Sequence, residues 1–244
     1  MRRFGLIGFP LTHSFSKKYF TSKFEKEGIT DAVFELYELP EIAAFPELLI
    51  ANPELEGLSV TIPHKQTILP FLDNIDPVAA RIGAVNAIKI SGGKLTGYNT
   101  DFVGFRDALK AFCPENSTLK ALVLGTGGAS KAVQAALEEL QIGFLVVSRS
   151  PRQGQLGYGQ LSPEIMAAHK LIINTTPLGT FPEVDTCPEI PYQFLVAQHY
   201  LFDLVYNPEE TLFMKNGREK GAKTTNGYEM LVLQAEAAWQ IWNG

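Results

Sequence analysis

Residues 119–130, Leu-Lys-Ala-Leu-Val-Leu-Gly-Thr-Gly-Gly-Ala-Ser, decide the fold of this 244-residue chain. The mainly apolar run 119–124 is typical of a strand that is covered on both faces of a parallel sheet. A glycine-rich turn follows, and residues 129–140 have the apolar spacing of a helix. Glycines between a parallel strand and a helix let backbone amides approach a pyrophosphate, so the stretch predicts a dinucleotide-binding fold. The alternative is a turn that binds no ligand, because Ser130 stands at the third glycine position of the usual fingerprint.

Basic and hydroxyl residues follow the next predicted strand, residues 144–147. About 20 residues beyond the glycine turn, a site for NAD would place an acidic residue that binds the ribose. This chain has Ser148, Arg149 and Arg152 there. Such a set suits a 2′-phosphate, so we expect NADP rather than NAD. The alternative is that both arginines are ordinary solvent-exposed residues of a loop and bind no ligand.

Strands and helices alternate on both sides of this unit, which predicts an α/β fold with mostly parallel sheets. Asn116 and Ser117 break the pattern between the two halves of the chain. Further strands are expected at residues 4–9, 32–39, 57–62, 83–90, 94–98, 171–173 and 200–205. Helices are expected after Ser16 up to a stop at Gly28, and at residues 41–50, 101–112, 163–168, 209–220 and 227–242. Residues 153–160 are expected to form a surface loop.

The run Ser-Val-Thr-Ile-Pro-His-Lys at residues 59–65 brings reactive side chains to the end of a predicted strand. Apolar and hydroxyl side chains alternate, so one face should bury Val60 and Ile62 while Ser59 and Thr61 lie on the other. The proline ends the strand just before the lysine. Lys65 is therefore expected just beyond the carboxyl end of this strand.

Lys65 and Asp101 are the ionisable pair that we place against a reacting alcohol or ketone. Hydride transfer to a ketone leaves an oxyanion, whose negative charge must be stabilised and to which a proton must be delivered. A neighbouring carboxylate favours the charged lysine and burial disfavours it, so Lys65 either shuttles the proton or mainly stabilises the oxyanion. The alternatives are a simple salt bridge and an ordinary solvated lysine.

Other polar residues could bind a small hydroxylated acid. Ser14 and Ser16 precede a helix, where both could donate to a substrate carboxylate at its positive end, or serve only as an N-cap pair. Asn86, Asn99 and Gln234 could bind ring hydroxyls, or could satisfy local backbone groups instead.

Composition excludes several classes of function. The chain has 21 Lys and Arg against 26 Asp and Glu. Its net charge of −5 gives no positive electrostatic field that would attract nucleic acid in general. Cys113, Cys187 and the four histidines lack the spacing of a disulfide framework or a metal site, which fits a reducing cytoplasm. No apolar stretch approaches the roughly 18 residues of a spanning helix, and no signal peptide is expected.

Eight ordered motifs are similar to those of the shikimate dehydrogenase family and cover nearly the whole chain. They are Gly8-Phe-Pro with His13-Ser-Phe-Ser16, Ser59 to Lys65, Gly83-Ala-Val-Asn86, Gly97-Tyr-Asn-Thr-Asp101, Gly125 to Ser130, Asn174-Thr-Thr-Pro-Leu-Gly179, Asp203-Leu-Val-Tyr-Asn-Pro208, and Asn226-Gly227 through Met230-Leu231 to Gln234. The resemblance implies a cytoplasmic oxidoreductase, a monomer or homodimer. It would interconvert 3-dehydroshikimate and shikimate with NADP in chorismate and aromatic amino-acid biosynthesis.

The resemblance also implies a role for each site residue. Lys65 and Asp101 would be the catalytic pair. The substrate would be bound by Ser14, Ser16, Ser59, Thr61, Asn86, Thr100 and Gln234. The cofactor would be bound by Gly125, Gly127, Gly128, Ala129, Ser148, Arg149, Arg152, Thr175, Leu204 and Gly227. A substrate-binding and catalytic domain is expected at 1–101 and 227–244, a Rossmann-type NADP domain at 102–226, and the active site in a cleft between them.

Five positions depart from the common family pattern: Lys17 for proline, Ser59 for asparagine, Ala87 for threonine, Ser148 for asparagine and Thr180 for methionine. The short hydroxyl of Ser59 is expected to weaken substrate affinity rather than change the reaction.

Two other functions are open. One is a quinate or dual-specificity dehydrogenase that uses NAD, which Arg149 and the two serines, Ser14 and Ser16, disfavour. The other is a catalytically silent NADP-binding regulatory protein, which Lys65 and Asp101 disfavour.

Overall fold

The structure, a computed structural model, describes residues 1–12, 14–113 and 119–244. His13 of the first motif and the break at Asn116 and Ser117 lie outside these residues. The chain divides into two compact units, Met1–Thr100 with Gln234–Gly244, and Asp101–Leu233. Within the described residues, no helix has both the length and the apolar character needed to cross a membrane.

Strands and helices alternate in both units, which confirms the predicted α/β class. The strands in the described residues are β1 (Arg2–Gly8), β2 (Ala32–Glu38), β3 (Leu55–Val60), β4 (Asn74–Ile75), β5 (Ala87–Ser91), β6 (Lys94–Tyr98), β7 (Lys120–Leu124), β8 (Gly143–Ser148), β9 (Gln155–Gly157), β10 (Leu171–Asn174), β11 (Tyr200–Asp203) and β12 (Lys223–Thr225). The α-helices there are α1 (Phe15–Glu27), α2 (Phe45–Ala51), α3 (Pro77–Ile82), α4 (Thr100–Phe112), α5 (Gly128–Glu139), α6 (Pro163–Ala168), α7 (Leu212–Arg218) and α8 (Tyr228–Asn243).

The sheet of the first unit has the strand order β2-β1-β3-β5-β6-β4. Its pairings of β1 with β2, β1 with β3 and β4 with β6 are parallel, whereas β5 runs antiparallel to both β3 and β6. The carboxyl ends of β1, β3 and β6 therefore share one edge with the amino end of β5. The carboxyl ends of β2 and β4 point to the same edge, because β2 is parallel to β1 and β4 to β6.

The sheet of the second unit is parallel throughout and has the order β12-β11-β10-β7-β8-β9. Counted from β7 as the first strand, this is the order of the doubly wound Rossmann fold. The order reverses between β7 and β10. In such sheets, ligands bind in the crevice beyond the carboxyl ends of the strands at the reversal.

The C-terminal part of α8 packs in the core of the first unit. Trp242 stacks on Phe4 with ring centroids 5.1 Å apart, and its Nε1 donates to the carbonyl of Ile88 at 3.0 Å. A Cβ at Gly57 would overlap the Trp242 ring, so the strand approaches the helix closely only because this position is glycine. The prediction that the last helix packs on the first unit is confirmed for its part from Gln234 onward, whereas its first six residues belong to the second unit.

Three local expectations were wrong. The strand predicted at 57–62 ends at Val60, and Ile62 is 73 % exposed rather than buried, because the chain turns at Pro63. Gly83 is the left-handed cap that ends α3, with φ of +71°, and is not part of a strand. The loop expected at 153–160 contains β9, a strand at the sheet edge.

Candidate active site

Three polar side chains of the first unit form a buried cluster at the shared strand edge. The Asn86 amide donates to Thr100 Oγ1 at 3.0 Å, and Asn86 Oδ1 accepts from the Thr100 backbone N–H at 2.6 Å. Thr100 Oγ1 in turn lies 3.4 Å from Gln234 Oε1. These residues come from the start of β5, the start of α4 and α8. The structure thus joins three predicted substrate ligands into one patch of hydroxyl and amide groups.

Ser14 and Ser16 lie at the positive end of α1. Ser14 is the N-cap, and its Oγ accepts from the backbone N–H of Lys17 at 3.2 Å, so the capping alternative is correct for Ser14. Ser16 is half-buried in the first turn. A hydroxyl that accepts through a lone pair still has its own hydrogen to donate. Capping by Ser14 is therefore compatible with binding a carboxylate.

A buried lysine ties α1 to α8. Lys23 Nζ lies 2.8 Å from Glu236 Oε1 and 2.7 Å from Glu27 Oε1, and the Tyr19 hydroxyl donates to Glu236. Burial lowers the pKa of Lys23, but the hydrogen bonds to the two glutamates outweigh it, and the net shift is upward. Glu236 lies two residues after Gln234, so this contact fixes the serine-bearing helix relative to that glutamine.

Lys65 lies in the turn that follows β3, where it is half-buried. Its carbonyl accepts from the Val85 backbone N–H at 2.8 Å. The preceding residue, His64, is 3 % exposed, and its Nε2 contacts the carbonyl of Leu39. The turn is therefore held on both sides of the lysine. We did not predict a role for His64, because its partner lies 25 residues away in the sequence.

The remaining residues of the first-unit set differ in exposure. Ser59 is 8 % exposed near the end of β3, and Thr61 is half-buried and donates its backbone N–H to the Ile7 carbonyl at 2.9 Å. The Asn99 amide donates to the Ala84 carbonyl at 2.9 Å, so it satisfies a backbone group, and its binding of ring hydroxyls stays a prediction. Asp101 follows Thr100 in the first turn of α4 and belongs to the second unit. The pairing of Lys65 with Asp101 stays a prediction.

The predicted cofactor residues of the second unit follow the carboxyl ends of its central strands. The backbone N–H of Gly125 donates to Val147, that of Thr175 to Leu124 at 3.0 Å, and that of Leu204 to Asn174 at 2.9 Å. Each strand end is thereby fixed to its neighbour in the sheet. The four strands β7, β8, β10 and β11 place these residues along one edge.

The glycine turn has the shape of an anion cradle. Gly125 has φ of +111°, and a Cβ there would lie 2.8 Å from Thr175 Oγ1. Ser130 Oγ donates to the Gly125 carbonyl at 2.8 Å, so the serine at the third position fastens the turn to α5. A Cβ built at Gly127 or Gly128 would meet no described atom within 4 Å. The two glycines therefore leave open space beside the backbone at the start of α5, and Ala129 follows them in the first turn.

Two exposed arginines follow β8. Ser148 Oγ accepts from the Ser150 backbone N–H at 3.2 Å and bends the chain beyond the strand. Within the described part of the chain, neither Arg149 nor Arg152 forms an ion pair. A phosphate could therefore bind both guanidinium groups without breaking an existing pair, and the residues present fit a 2′-phosphorylated dinucleotide.

Comparison with known proteins decides the family. A family model described as the shikimate dehydrogenase substrate binding domain matches residues 6–88. The shikimate dehydrogenase (NADP(+)) of Desulforamulus reducens is 36 % identical over an alignment of 259 positions, gaps included, which covers 98 % of this chain and 89 % of the relative. The chain belongs to the shikimate dehydrogenase family.

Solved structures of the family agree with this assignment. The crystal structure of shikimate dehydrogenase from Aquifex aeolicus matches with a TM-score of 0.89 at 34 % identity, covering 100 % of this chain and 93 % of that one. The Thermus thermophilus enzyme, solved in complex with NADP(H) and shikimate, matches with a TM-score of 0.88 at 32 % identity, covering 100 % and 94 %. The resemblance drawn from the eight motifs is confirmed, and the chain is an oxidoreductase.

This member of the shikimate dehydrogenase family also contains a buried carboxylate that we did not predict as functional. Asp203, the last residue of β11, is fully buried. It accepts from Asn174 Nδ2 at 2.9 Å, from the Val205 backbone N–H at 3.0 Å and from the Thr211 hydroxyl at 2.6 Å. Burial raises the pKa of Asp203 to about 6, although these three hydrogen bonds act in the opposite direction.

The raised pKa of Asp203 predicts a pH-dependent stability. Between about pH 4 and pH 6 the folded chain keeps a proton on Asp203 that the unfolded chain releases, so stability falls as the pH rises. We expect the free energy of unfolding of the wild type, relative to Asp203→Asn, to fall by about 2 kcal/mol over this range. Urea unfolding of both proteins at several pH values checks this. A constant difference between them would contradict it.

Proposed function

We propose that the chain catalyses the reversible, NADPH-dependent reduction of 3-dehydroshikimate to shikimate, a step of chorismate and aromatic amino-acid biosynthesis. The buried cluster of Asn86, Thr100 and Gln234 carries the proposal, because it gathers hydroxyl and amide groups beside the strand end that leads to Lys65. A hydroxylated ring needs such groups, whose hydrogen bonds can be both donated and accepted. Membership of the family supports the same reaction.

Substrate binding is assigned to the first unit. Ser14 and Ser16 hold the carboxylate at the positive end of α1, where hydroxyl donors and the helix dipole both favour a negative charge. Asn86, Thr100 and Gln234 bind the ring hydroxyls, with Ser59 and Thr61 completing the site. The substrate-binding role is proposed for 1–101 and 227–244, and the match of the family model to residues 6–88 supports it.

Proton and charge handling is assigned to Lys65 and Asp101. NADPH supplies the hydride to the ketone carbon when it is bound. The Lys65 ammonium lies against the ketone oxygen, where it stabilises the developing negative charge or delivers the proton that completes the hydroxyl. The Asp101 carboxylate pairs with the lysine and orients it. The turn around His64 limits the motion of the lysine backbone.

Cofactor binding is assigned to the second unit, and an NADP-binding role is proposed for 102–226. The amides of Gly127, Gly128 and Ala129 bind the pyrophosphate at the start of α5. Arg149 and Arg152 bind the 2′-phosphate, with Ser148 beside them. The strand-end residues Thr175, Leu204 and Gly227 border the nicotinamide half. The Thermus thermophilus relative, solved with NADP(H) and shikimate, supports this choice of ligands.

The proposed enzyme works in the cytoplasm. The described structure contains Cys113 and Cys187 as free thiols, as is usual in a reducing compartment. A monomer or homodimer is proposed, which light scattering on the purified chain would distinguish.

The deciding experiment is an assay at 340 nm that crosses shikimate or quinate with NADP or NAD. Reduction that is strong only with shikimate and NADP would support the proposal. A preference for quinate or NAD would move the chain to the sister activity. Binding of NADPH without turnover of either substrate would favour a regulatory protein instead.

A further inference from the structure

Asp203 joins the two ends of one loop at the carboxyl edge of the second sheet. The loop comprises residues 204–210 and lies between β11 and α7. Asp203 Oδ1 accepts from the Val205 N–H at 3.0 Å, where the loop begins, and Oδ2 accepts from the Thr211 hydroxyl at 2.6 Å, where it ends. A single carboxylate thereby closes the loop.

The same carboxylate connects the loop to the neighbouring strand. Asn174, the last residue of β10, donates its amide to Asp203 Oδ1 at 2.9 Å, and its carbonyl accepts from the Leu204 N–H at 2.9 Å. The two residues also lie opposite each other in the parallel register of β10 and β11. Side-chain and backbone bonds thus fix the first loop residue against the end of β10.

The loop in turn contacts the start of α8. The Gly227 N–H donates to the Val205 carbonyl at 3.1 Å, and a Cβ at Gly227 would overlap the Leu204 carbonyl. The Asn226 amide donates to the Glu209 carbonyl at 2.8 Å. A shift of the loop therefore displaces the backbone at both Leu204 and Gly227.

The position of these contacts in the fold identifies the part of the dinucleotide that they face. A Rossmann sheet consists of two mononucleotide-binding halves. The half formed by β7, β8 and β9 carries the glycine turn and Arg149, which bind the adenosine side. The half formed by β10, β11 and β12 contains Asn174, Asp203 and the 204–210 loop, and so faces the nicotinamide side.

We propose that Asp203 is a positioning residue that shapes the nicotinamide side of the cofactor site by holding the 204–210 loop to Asn174 and Thr211. It does not touch the reacting atoms. It fixes the backbone at Leu204 and Gly227, against which the nicotinamide ring is oriented. The inference rests on the proposed function, since it presupposes that NADPH is the cofactor.

Two ligands separate this role from a general effect on folding. NADPH contacts both halves of the site, whereas adenosine 2′,5′-bisphosphate lacks the nicotinamide half. We expect Asp203→Ala to weaken NADPH binding about tenfold or more, as loss of buried hydrogen bonds implies, while bisphosphate binding is kept. Asp203→Asn should stay near the wild type, because its Oδ1 can still accept from Asn174 and Val205. Fluorescence titration of NADPH and calorimetry of the bisphosphate give both affinities.

His199→Ala is the matched control. His199 is also fully buried and precedes β11 at its opposite end, where Nε2 lies 3.0 Å from the Met166 carbonyl. It should lower the melting temperature and leave both affinities unchanged. If Asp203→Ala does not fold, Thr211→Val removes only the bond to Oδ2 and the helix cap, and Thr211→Ser restores the hydroxyl. Thr211→Val should then weaken the binding of NADPH but not that of the bisphosphate, and Thr211→Ser should not have this effect.

The outcomes are distinct. Selective loss of NADPH affinity supports the positioning role. If the Asp203→Ala variant loses affinity for both ligands equally, or for neither, the positioning role is overturned and Asp203 contributes only to stability. Failure of the wild-type chain to bind either ligand would instead overturn the proposed cofactor, and the positioning role with it.

Discussion

Replacement of Lys65 by alanine is expected to lower kcat for shikimate oxidation by roughly 10²- to 10⁴-fold, the usual contribution of a positioned acid or base. The lysine is the cationic side chain just beyond the carboxyl end of β3 in the first unit, in a turn held by Val85 and His64. NADPH affinity should be unchanged, because the cofactor residues lie in the second unit. Steady-state kinetics and NADPH titration measure the two effects separately.

Gln66→Ala is the control for Lys65→Ala. Gln66 is the next residue of the same turn and is exposed, so its loss tests whether the turn tolerates a truncated side chain. Near-normal turnover of the Lys65 variant would remove the lysine from the mechanism.

Lys65→Arg distinguishes the two roles that the sequence leaves open. Arginine keeps the positive charge but does not release a proton near neutral pH. A rate close to that of the alanine variant would indicate that lysine carries the proton. A rate well above it would indicate that the charge alone stabilises the oxyanion.

Replacement of Arg149 by alanine is expected to weaken NADPH binding roughly 10- to 100-fold, the effect of losing a charge-assisted bond to phosphate. NADH has no 2′-phosphate, so its affinity should not change. The arginine is exposed and, among the described residues, has no ion-pair partner, so its removal leaves no buried charge behind. Titration of NADPH and NADH fluorescence measures the ratio of the two affinities.

Lys120→Ala provides the matched loss of one positive charge. Lys120 is exposed at the amino end of β7, on the opposite edge of the sheet from Arg149. It should leave the NADPH to NADH ratio unchanged. An equal weakening of both cofactors by Arg149→Ala would mean that this arginine does not recognise the 2′-phosphate.

The Rossmann unit was largely predictable because its signals are local. The helix at residues 163–168 was predicted with its observed bounds, since Ser162 caps it and Pro163 opens it. By contrast, β9 and β12 have three residues each and carry no periodic pattern. Such strands form because a partner strand is present, so the pattern of a single segment does not indicate them.

The site was predictable in its chemistry and less so in its geometry. Parallel strands bring their carboxyl ends to one edge, so the residues after β7, β10 and β11 could be expected together. The exposure of Ile62 was not predictable from alternation, because the strand ends two residues earlier. The role proposed for Asp203 also escaped notice, because it depends on Asn174, 29 residues away in the sequence. The sequence feature that could have indicated this role is a polar residue at the end of each of two apolar strands, Asn174 in β10 and Asp203 in β11.

The contribution of residues 234–244 to the core of the first unit sets an order for folding during synthesis. Phe4, Phe20 and Phe34 leave the ribosome early, but Trp242, which packs against all three, is translated after the whole of the second unit. The Rossmann sheet can therefore assemble first, although translation of the other unit starts earlier. A nascent chain that is stalled before residue 234 would expose those phenylalanines. The first unit is therefore the part of the chain that we expect a chaperone to bind during synthesis.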